Sequence, residues 1–332
     1  MIQAETGQSQ AGIRWRRLGQ WRSVLVAYAL VIALFIVGSL TISGFSAGSN
    51  VLSMLVLASF TGIAAMAQNL AILLGGIDLS IPYVITMGDI LIPYLDGHHW
   101  PFVASLVMVL AIAVMVGGAN GYLSSTLRLH PLIITLGTGY IVDGAMYVLT
   151  QGVPSGSAPR FLVTIASLGS RAFGFEFPPV ILIWAVLAAA FIWGLTRTKW
   201  GRQIYAVGAN AKAAELMLVS RVQVWTYAYI ASAVLAALTG VLLSGFSGSG
   251  YFGIGNPYLF VSVGAVAIGG TSLLGGVGTY WGTIAGVLAL TEISSLLIGF
   301  NIGSSRQEIF YGLIVLVMIS IYGRELHVKN RL

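Results

Sequence analysis

The chain has no cysteine among its 332 residues. That excludes a disulfide framework, a Cys-ligated zinc site and thiol chemistry. Charge is almost as scarce: Asp, Glu, Lys and Arg together make up 8%, against roughly 25% in an ordinary soluble domain. A water-soluble fold needs far more polar surface than this. The phosphate loop GxxxxGK[ST] is missing too, and with it the lysine and the magnesium-holding hydroxyl of ATP hydrolysis.

What remains is apolar. Hydrophobic residues make up 57% of the chain, its mean hydropathy is +0.91, and apolar runs long enough to cross a bilayer recur throughout, the pattern of an all-α, multi-span membrane protein. The 42 glycines fit that class, because glycine is tolerated within spans and lets helices approach closely. A formal charge of +6 would suggest nucleic acid in a soluble domain; here no nucleic-acid partner is expected, and the placement of charge matters more than its sum.

The polar segment 1–22 precedes a first span, Ser23–Ile42, which is too long for a signal-peptide core. Val51–Leu74 follows, then GGIDLS at Gly75–Ser80 and Pro82 break the helix before Tyr83–Leu95 continues. Two glycines, an acid and a proline so close together cannot form a plain lipid-facing helix. Broken backbone at membrane depth must be covered by protein or line a cavity, and Asp78 belongs inside the protein or at an interface. Further spans are expected at Pro101–Leu123, Pro131–Thr150, Val180–Leu195, Val224–Leu243, the short Tyr258–Ala267, Thr279–Leu297 and Ile309–Tyr322, with a second glycine-broken stretch at Gly269–Gly278. The count is about ten, within a single membrane-spanning body of residues 23–323, followed by a tail at 324–332.

Charge placement orients this array. If both termini are cytoplasmic, the inner segments hold Arg14, Arg16, Arg17, Arg22, Arg128, Arg197, Lys199, Arg202, Lys212, Arg221, Arg324, Lys329 and Arg331, which is 13 of the 16 basic residues. Only Arg160, Arg171 and Arg306 fall outside, a bias in the sense of the positive-inside rule. The segment 197–222 is then a cytoplasmic polar island. In it Gly201 is expected to allow a tight turn, and Asn210 to cap a short helix, Ala211–Leu218, on which Lys212 and Glu215 can pair and Ala214, Met217 and Leu218 form an apolar patch. So short a helix needs tertiary or partner contacts to persist. It is either a simple connector or a docking knob for a soluble partner, with Arg202 and Tyr205 as contact residues.

Four stretches, GGIDLS at Gly75–Ser80, HPLIITLGT at His130–Thr138, GRQIYAVGANAKAAEL at Gly201–Leu216 and GGTSLLGGVGTYWGTIAG at Gly269–Gly286, resemble the permease subunits of bacterial ABC importers for ribose, xylose, arabinose, galactose and related sugars. They stand in the family order, and the resemblance covers nearly the whole chain. It implies a ten-helix, type II ABC importer permease fold in the bacterial cytoplasmic membrane, dimerised with a second permease subunit. It also implies ATPase partner subunits that bind ATP and magnesium, so that this chain itself holds no cofactor, and an external substrate-binding protein, periplasmic or lipid-anchored. The third stretch resembles the segment that couples to the ATPase, which makes Gly201, Arg202, Tyr205, Asn210, Ala213, Ala214, Glu215 and Leu216 the coupling residues. The chain departs from the family pattern at Ile81–Pro82 and at Ser220, where relatives often carry glycine.

Asn69, Gly75, Gly76, Asp78, Asn120, Thr135, Gly269 and Gly270 are the candidates for the pathway or the helix breaks, with Gln68, Asp143 and Glu292 as further polar groups within spans. For Asn69 and Asn120 the alternative is interhelical hydrogen bonding, and for Asp78 it is capping of the helix that begins near Leu79. Gly278, Gly282 and Gly286 recur every fourth residue and suit close helix packing, a theme repeated by Gly117 and Gly121. The formal GxGxxG at Gly248, Gly250 and Gly253 lacks a βαβ setting and reads as a flexible outer loop. His98 and His99 lack the geometry of a metal site. Broken spans also suit an ion-driven secondary transporter, and permeases for autoinducer-2 or branched-chain amino acids are alternatives within the ABC class.

Overall fold

The computed structural model describes residues 3–127, 129–170, 177–303, 306–307, 309–313 and 316, and the side chains of these except for 3–20. Twelve helices appear in order among them: α1 Gln3–Thr41, α2 Gly48–Leu73, α3 Ile81–Gly97, α4 Phe102–Thr126, α5 Pro131–Thr150, α6 Arg160–Ala166, α7 Pro179–Arg197, α8 Lys199–Ala209, α9 Ala211–Leu216, α10 Arg221–Ser247, α11 Asn256–Ile268 and α12 Tyr280–Gly299. Seven are long and apolar enough to cross a membrane: residues Trp21–Thr41 of α1, and α2, α4, α5, α7, α10 and α12. The 13 residues of α11 reach only about 20 Å and cannot span a hydrocarbon core of about 30 Å unaided. The expected last span Ile309–Tyr322 falls mostly outside the described residues, and the tail 324–332 wholly so. Helix α1 runs without a break from Gln3 through the first span to Thr41.

The long, glycine- and alanine-rich helices α2 and α10 form the buried centre. Their side chains lie within a core that includes Phe60, Ile63, Met66, Ile85, Met87, Ala233 and Ala237. Around them α1, α4, α5 and α7 keep much of their apolar surface outward, as helices facing lipid do. Tyr280 of α12 ties three helices together. Its hydroxyl donates to the Gly62 carbonyl of α2 at 2.9 Å and accepts from Trp184 Nε1 of α7 at 3.0 Å.

Both helix breaks use the same backbone device. At the end of α2, Gly75 takes φ +81°, its N–H bonds to Ile72 O at 2.9 Å, and Gly76 N–H bonds to Ala71 O at 2.9 Å. At the end of α11, Gly270 takes φ +79°, its N–H bonds to Ala267 O at 2.9 Å, and Thr271 N–H bonds to Val266 O at 3.2 Å. This is the paired-bond termination that a left-handed residue after the helix permits, and glycine adopts it without steric cost. The two chain departures fit locally: Pro82 occupies the first turn of α3, where its missing N–H is no loss, and Ser220 caps α10 by accepting from Gln223 N at 3.4 Å.

Close helix approach accounts for the spaced glycines. A Cβ on Gly282 would lie 1.9 Å from Gly269 O, and one on Gly286 would lie 2.0 Å from Ala265 O, so α12 packs directly on α11. Gly278 is not on that helix face. It precedes α12, and its contact is with Thr271, whose Oγ1 would be 2.4 Å from a Cβ there. On α4, a Cβ at Gly117 would meet Tyr229 O of α10 at 2.3 Å, while one at the adjacent Gly118 meets only the Ile230 side chain at 3.8 Å. Gly117→Ala should therefore destabilise the chain by ~1–3 kcal/mol through overpacking, with Gly118→Ala near neutral. Thermal unfolding of the two variants in the same detergent checks this, and equal midpoints would contradict the packing.

Candidate functional site

Two adjacent residues of α2, Gln68 and Asn69, hold the two breaks. With its amide oriented so that both atoms are satisfied, the Gln68 carboxamide pairs with the main chain of Asp78, its N donating to Asp78 O at 3.1 Å and its O accepting from Asp78 N at 3.2 Å. Asp78 is fully buried. Its Oδ1 accepts from Ser80 N at 2.9 Å and Ser80 Oγ at 2.6 Å, and its Oδ2 accepts from Ser232 Oγ of α10 at 3.1 Å. Thus Asp78 caps the turn that opens α3, rather than standing free in a cavity. Ser80 Oγ in turn accepts from Asn120 Nδ2 of α4 at 2.9 Å, and Asn120 Oδ1 accepts from Thr138 of α5. Thr135 Oγ1 accepts from Leu79 N at 2.9 Å, which ties α5 to the same turn.

Asn69 serves the second break. Its Nδ2 donates to Thr283 Oγ1 of α12 at 2.8 Å and lies 3.4 Å from Thr271 Oγ1. Asn69, Asn120 and Thr135 are fully buried and bonded between helices. The bonds joining Asp78, Ser80, Asn120 and Thr138 rigidify the core around the first break, because a member left unpaired at low dielectric would be costly, whereas Asn69 Oδ1 is buried with no hydrogen-bond partner among the described residues.

The breaks meet each other. Gly276 N donates to Leu73 O, the last carbonyl of α2, at 2.8 Å. Helix α8 closes on this junction: a Cβ at Gly208 would lie 1.9 Å from Leu73 O and 2.8 Å from Gly276 N. Tyr205 Oη donates to Gly278 O at 2.9 Å, and burial pushes this phenol's pKa up to about 12, so it stays a donor. The inward face of α8, with Gly201, Ile204 and Val207 buried, therefore lies backbone to backbone on both breaks. Gly201 makes no turn. It sits in the first turn of α8, donating to its cap Thr198 Oγ1 at 3.2 Å, and glycine is needed because a Cβ would lie 2.1 Å from Leu195 O.

The outward face of the segment differs. Asn210 Oδ1 accepts from Ala213 N at 3.0 Å and caps α9. Ala214 is not part of an outer patch but is buried with Ile204, Val207 and Trp225. The exposed apolar residues are Leu216, Met217 and Leu218, at 85%, 79% and 95%. Arg202 on α8 and Ala213 and Glu215 on α9 are exposed as well. Among the described residues no ion pair joins Lys212 to Glu215. Glu215 instead borders a groove of about 380 Å³ with Ser125, Thr126 and Arg221.

Sequence reasoning missed Gly208, Ser232, Thr138 and Asp89. Asp89 is buried in α3, with Oδ2 accepting from Tyr251 N at 2.9 Å; an acid inside the apolar run Tyr83–Leu95 was the available signal. Among the described residues no group of three His, Asp or Glu could hold a metal ion.

The family model described as "Branched-chain amino acid transport system / permease component" matches residues 50–322. The chain is 32% identical over 295 residues to the "Probable ABC transporter permease protein YphD" of Escherichia coli K12, covering 89% of this chain and 88% of that protein. It is 30% identical over 324 residues to the ribose import permease protein RbsC of Haemophilus influenzae, covering 96% and 97%. It is 29% identical over 262 residues to the autoinducer 2 import system permease protein LsrC of Yersinia pseudotuberculosis, covering 79% and 74%. No solved structure gives a significant match.

Asp78→Ala would orphan three buried donors, each worth ~1–3 kcal/mol when unpaired. We expect it to lower the unfolding midpoint strongly or to abolish accumulation of the chain, with Asp78→Asn milder because one acceptor oxygen survives. A wild-type midpoint for Asp78→Ala, read by thermal unfolding in detergent, would show that the turn holds without the carboxylate.

Proposed function

Because the chain belongs to this family of transport-system permease components, and is a non-catalytic membrane permease subunit of an ABC-type importer for a small polar solute, we propose that its cargo is a monosaccharide or a similar polyol. An external binding protein delivers that solute, and ATPase subunits carrying ATP and magnesium drive its import. The ion-gradient alternative gives way to the family assignment. Similarity to a ribose permease over almost the full length of both chains supports a sugar; similarity to an autoinducer-2 permease keeps a furanosyl solute as the second reading.

The observation that carries the mechanism is the two-faced segment α8–α9. Its outer face, Leu216, Met217, Leu218, Arg202 and Glu215, is the docking surface for the ATPase. Its inner face rests on both helix breaks through Gly208 and Tyr205. Displacement of the segment by the ATPase then reaches α2, α3, α11 and α12 together. Only a difference in docking between the inward-open and outward-open states can shift their populations. In this reading the basic residues Arg22, Arg197, Lys199, Arg202, Lys212 and Arg221 place the segment in the cytoplasm, with both termini. The permease domain 23–323 pairs with a second permease subunit, identical or similar.

Arg202→Ala and Glu215→Ala should leave the chain folded and inserted but lower solute uptake by about tenfold each, the scale of one lost hydrogen bond to a charged group at the interface. Uptake and ATP hydrolysis by the transporter purified in mild detergent with its neighbours check this. Full uptake by both variants in assembled complexes would remove the docking assignment, and purification without any ATPase would remove the importer reading.

A further inference from the structure

Helix α5 presents Tyr140, Asp143 and Tyr147 at spacings of three and four residues, so all three share one face. Across from them, Tyr83 of α3 sets its ring 5.4 Å from that of Tyr140, and Phe252 stacks on Tyr147 at 3.9 Å with the rings 8° from parallel. With Gly253 and with Asn256 at the start of α11, these side chains enclose an open cleft of about 360 Å³. Tyr140 and Tyr147 are 60% and 47% exposed. Asp143 is partly exposed and, among the described residues, accepts no hydrogen bond from the chain.

An unsatisfied carboxylate on a span does not face lipid, where it would cost ~2.5–3.5 kcal/mol at the bilayer centre. It faces water or a ligand. The chemistry of the cleft narrows the ligand. Hydrogen-bond acceptors and donors come from the carboxylate, the phenols and the carboxamide, and aromatic faces stand beside them, the combination that suits a ring with hydroxyls on its edge and C–H groups on its face. No lysine or arginine lines the cleft, so the carboxylate of a free amino acid would find no cationic partner there. A single carboxylate offers too few oxygens for a dedicated cation cage.

We propose that this cleft is where a neutral polyhydroxylated solute touches the chain on its way across the membrane, with Asp143 accepting its hydroxyls and Tyr140 and Tyr147 lying against its C–H faces. The proposal rests on the importer reading above and adds the place of contact. It also gives that place a link to the breaks. Tyr83 stands two residues beyond the start of α3, and Asn256 opens α11, so one of the two helices flanking each break also borders the cleft. A Cβ at Gly255 would lie 1.9 Å from Pro82 O, which leaves the two helix starts no slack between them.

The cysteine-free sequence supplies the test. Single variants Asp143→Cys and Tyr140→Cys, with Val186→Cys on the 68%-exposed outer side of α7 as the lipid-facing reference, are assembled with the ATPase and binding protein in proteoliposomes. They are treated with a water-soluble maleimide, and labelling is read on this chain. We expect labelling at 143 and 140 to be at least about tenfold faster than at 186, because a thiol reacts as its hydrated thiolate. Ribose or galactose should slow it and leucine should not. Asp143→Asn should lower sugar uptake by about tenfold, the scale of a lost hydrogen bond to a charged acceptor, while the ATPase still co-purifies. Labelling no faster than at 186 would overturn the site, since the face would then be covered by lipid or by a second permease copy; protection by leucine alone would overturn the ligand class. Sugar uptake that survives Asp143→Asn would overturn the site and leave the importer reading intact. Wild-type complexes that hydrolyse ATP yet take up neither sugar would overturn the sugar reading itself.

Discussion

Backbone broken inside a membrane protein must find its hydrogen bonds within the protein, and the structure depends on how two such breaks are satisfied. Each ends a helix with a left-handed glycine and two backbone bonds. Each is then held by one amide side chain of α2, Gln68 for the first break and Asn69 for the second. The Leu73 carbonyl at the end of α2 accepts from Gly276 of the second break. Neither break is complete without α2, and the first also depends on α4, α5 and α10 through Asp78, Asn120 and Thr135.

This arrangement explains why the polar segment between α7 and α10 sits where it does. Three backbones converge, from α8 and from both breaks, and each approach needs the absence of a side chain: Gly208, Gly275 and Gly276 each have another main chain within 3 Å of where a Cβ would stand. Contact at this range cannot slide freely, because packed interiors shift between discrete arrangements rather than deform smoothly. In the proposed mechanism an element so placed passes displacement to its neighbours, while Leu216, Met217 and Leu218 stay exposed.

Much of this was legible in the sequence. Apolar runs place the long helices to within a few residues, as with α5 at Pro131–Thr150, and double glycines beside polar residues mark where helices stop. Pairings between distant segments were not legible. The bond from Gly276 to Leu73 joins stretches some two hundred residues apart, and no local pattern announces it. Nor could spacing say that Gly201 lies within a helix rather than at a turn, because glycine serves both uses and only the Leu195 carbonyl beneath it decides. On the expected helix Ala211–Leu218 the spacing groups Ala214 with Met217 and Leu218; the helix stops at Leu216, and Ala214 turns inward into the cluster with Trp225. Asp89 was overlooked because a lone acid in an apolar run carries no accompanying break.

The central claim is that α8 transmits motion through backbone contact with the two breaks, and the number of solute molecules imported per ATP hydrolysed tests it most directly. In assembled transporters carrying Gly208→Ala, the account predicts that this ratio falls by about tenfold while ATP turnover continues, the consequence of losing ~1.4 kcal/mol of contact that differs between states. Tyr205→Phe, which loses only the bond to Gly278, should give a smaller drop in the same ratio. An unchanged ratio in the Gly208 variant would contradict the account and reduce α8 to a connector between two spans.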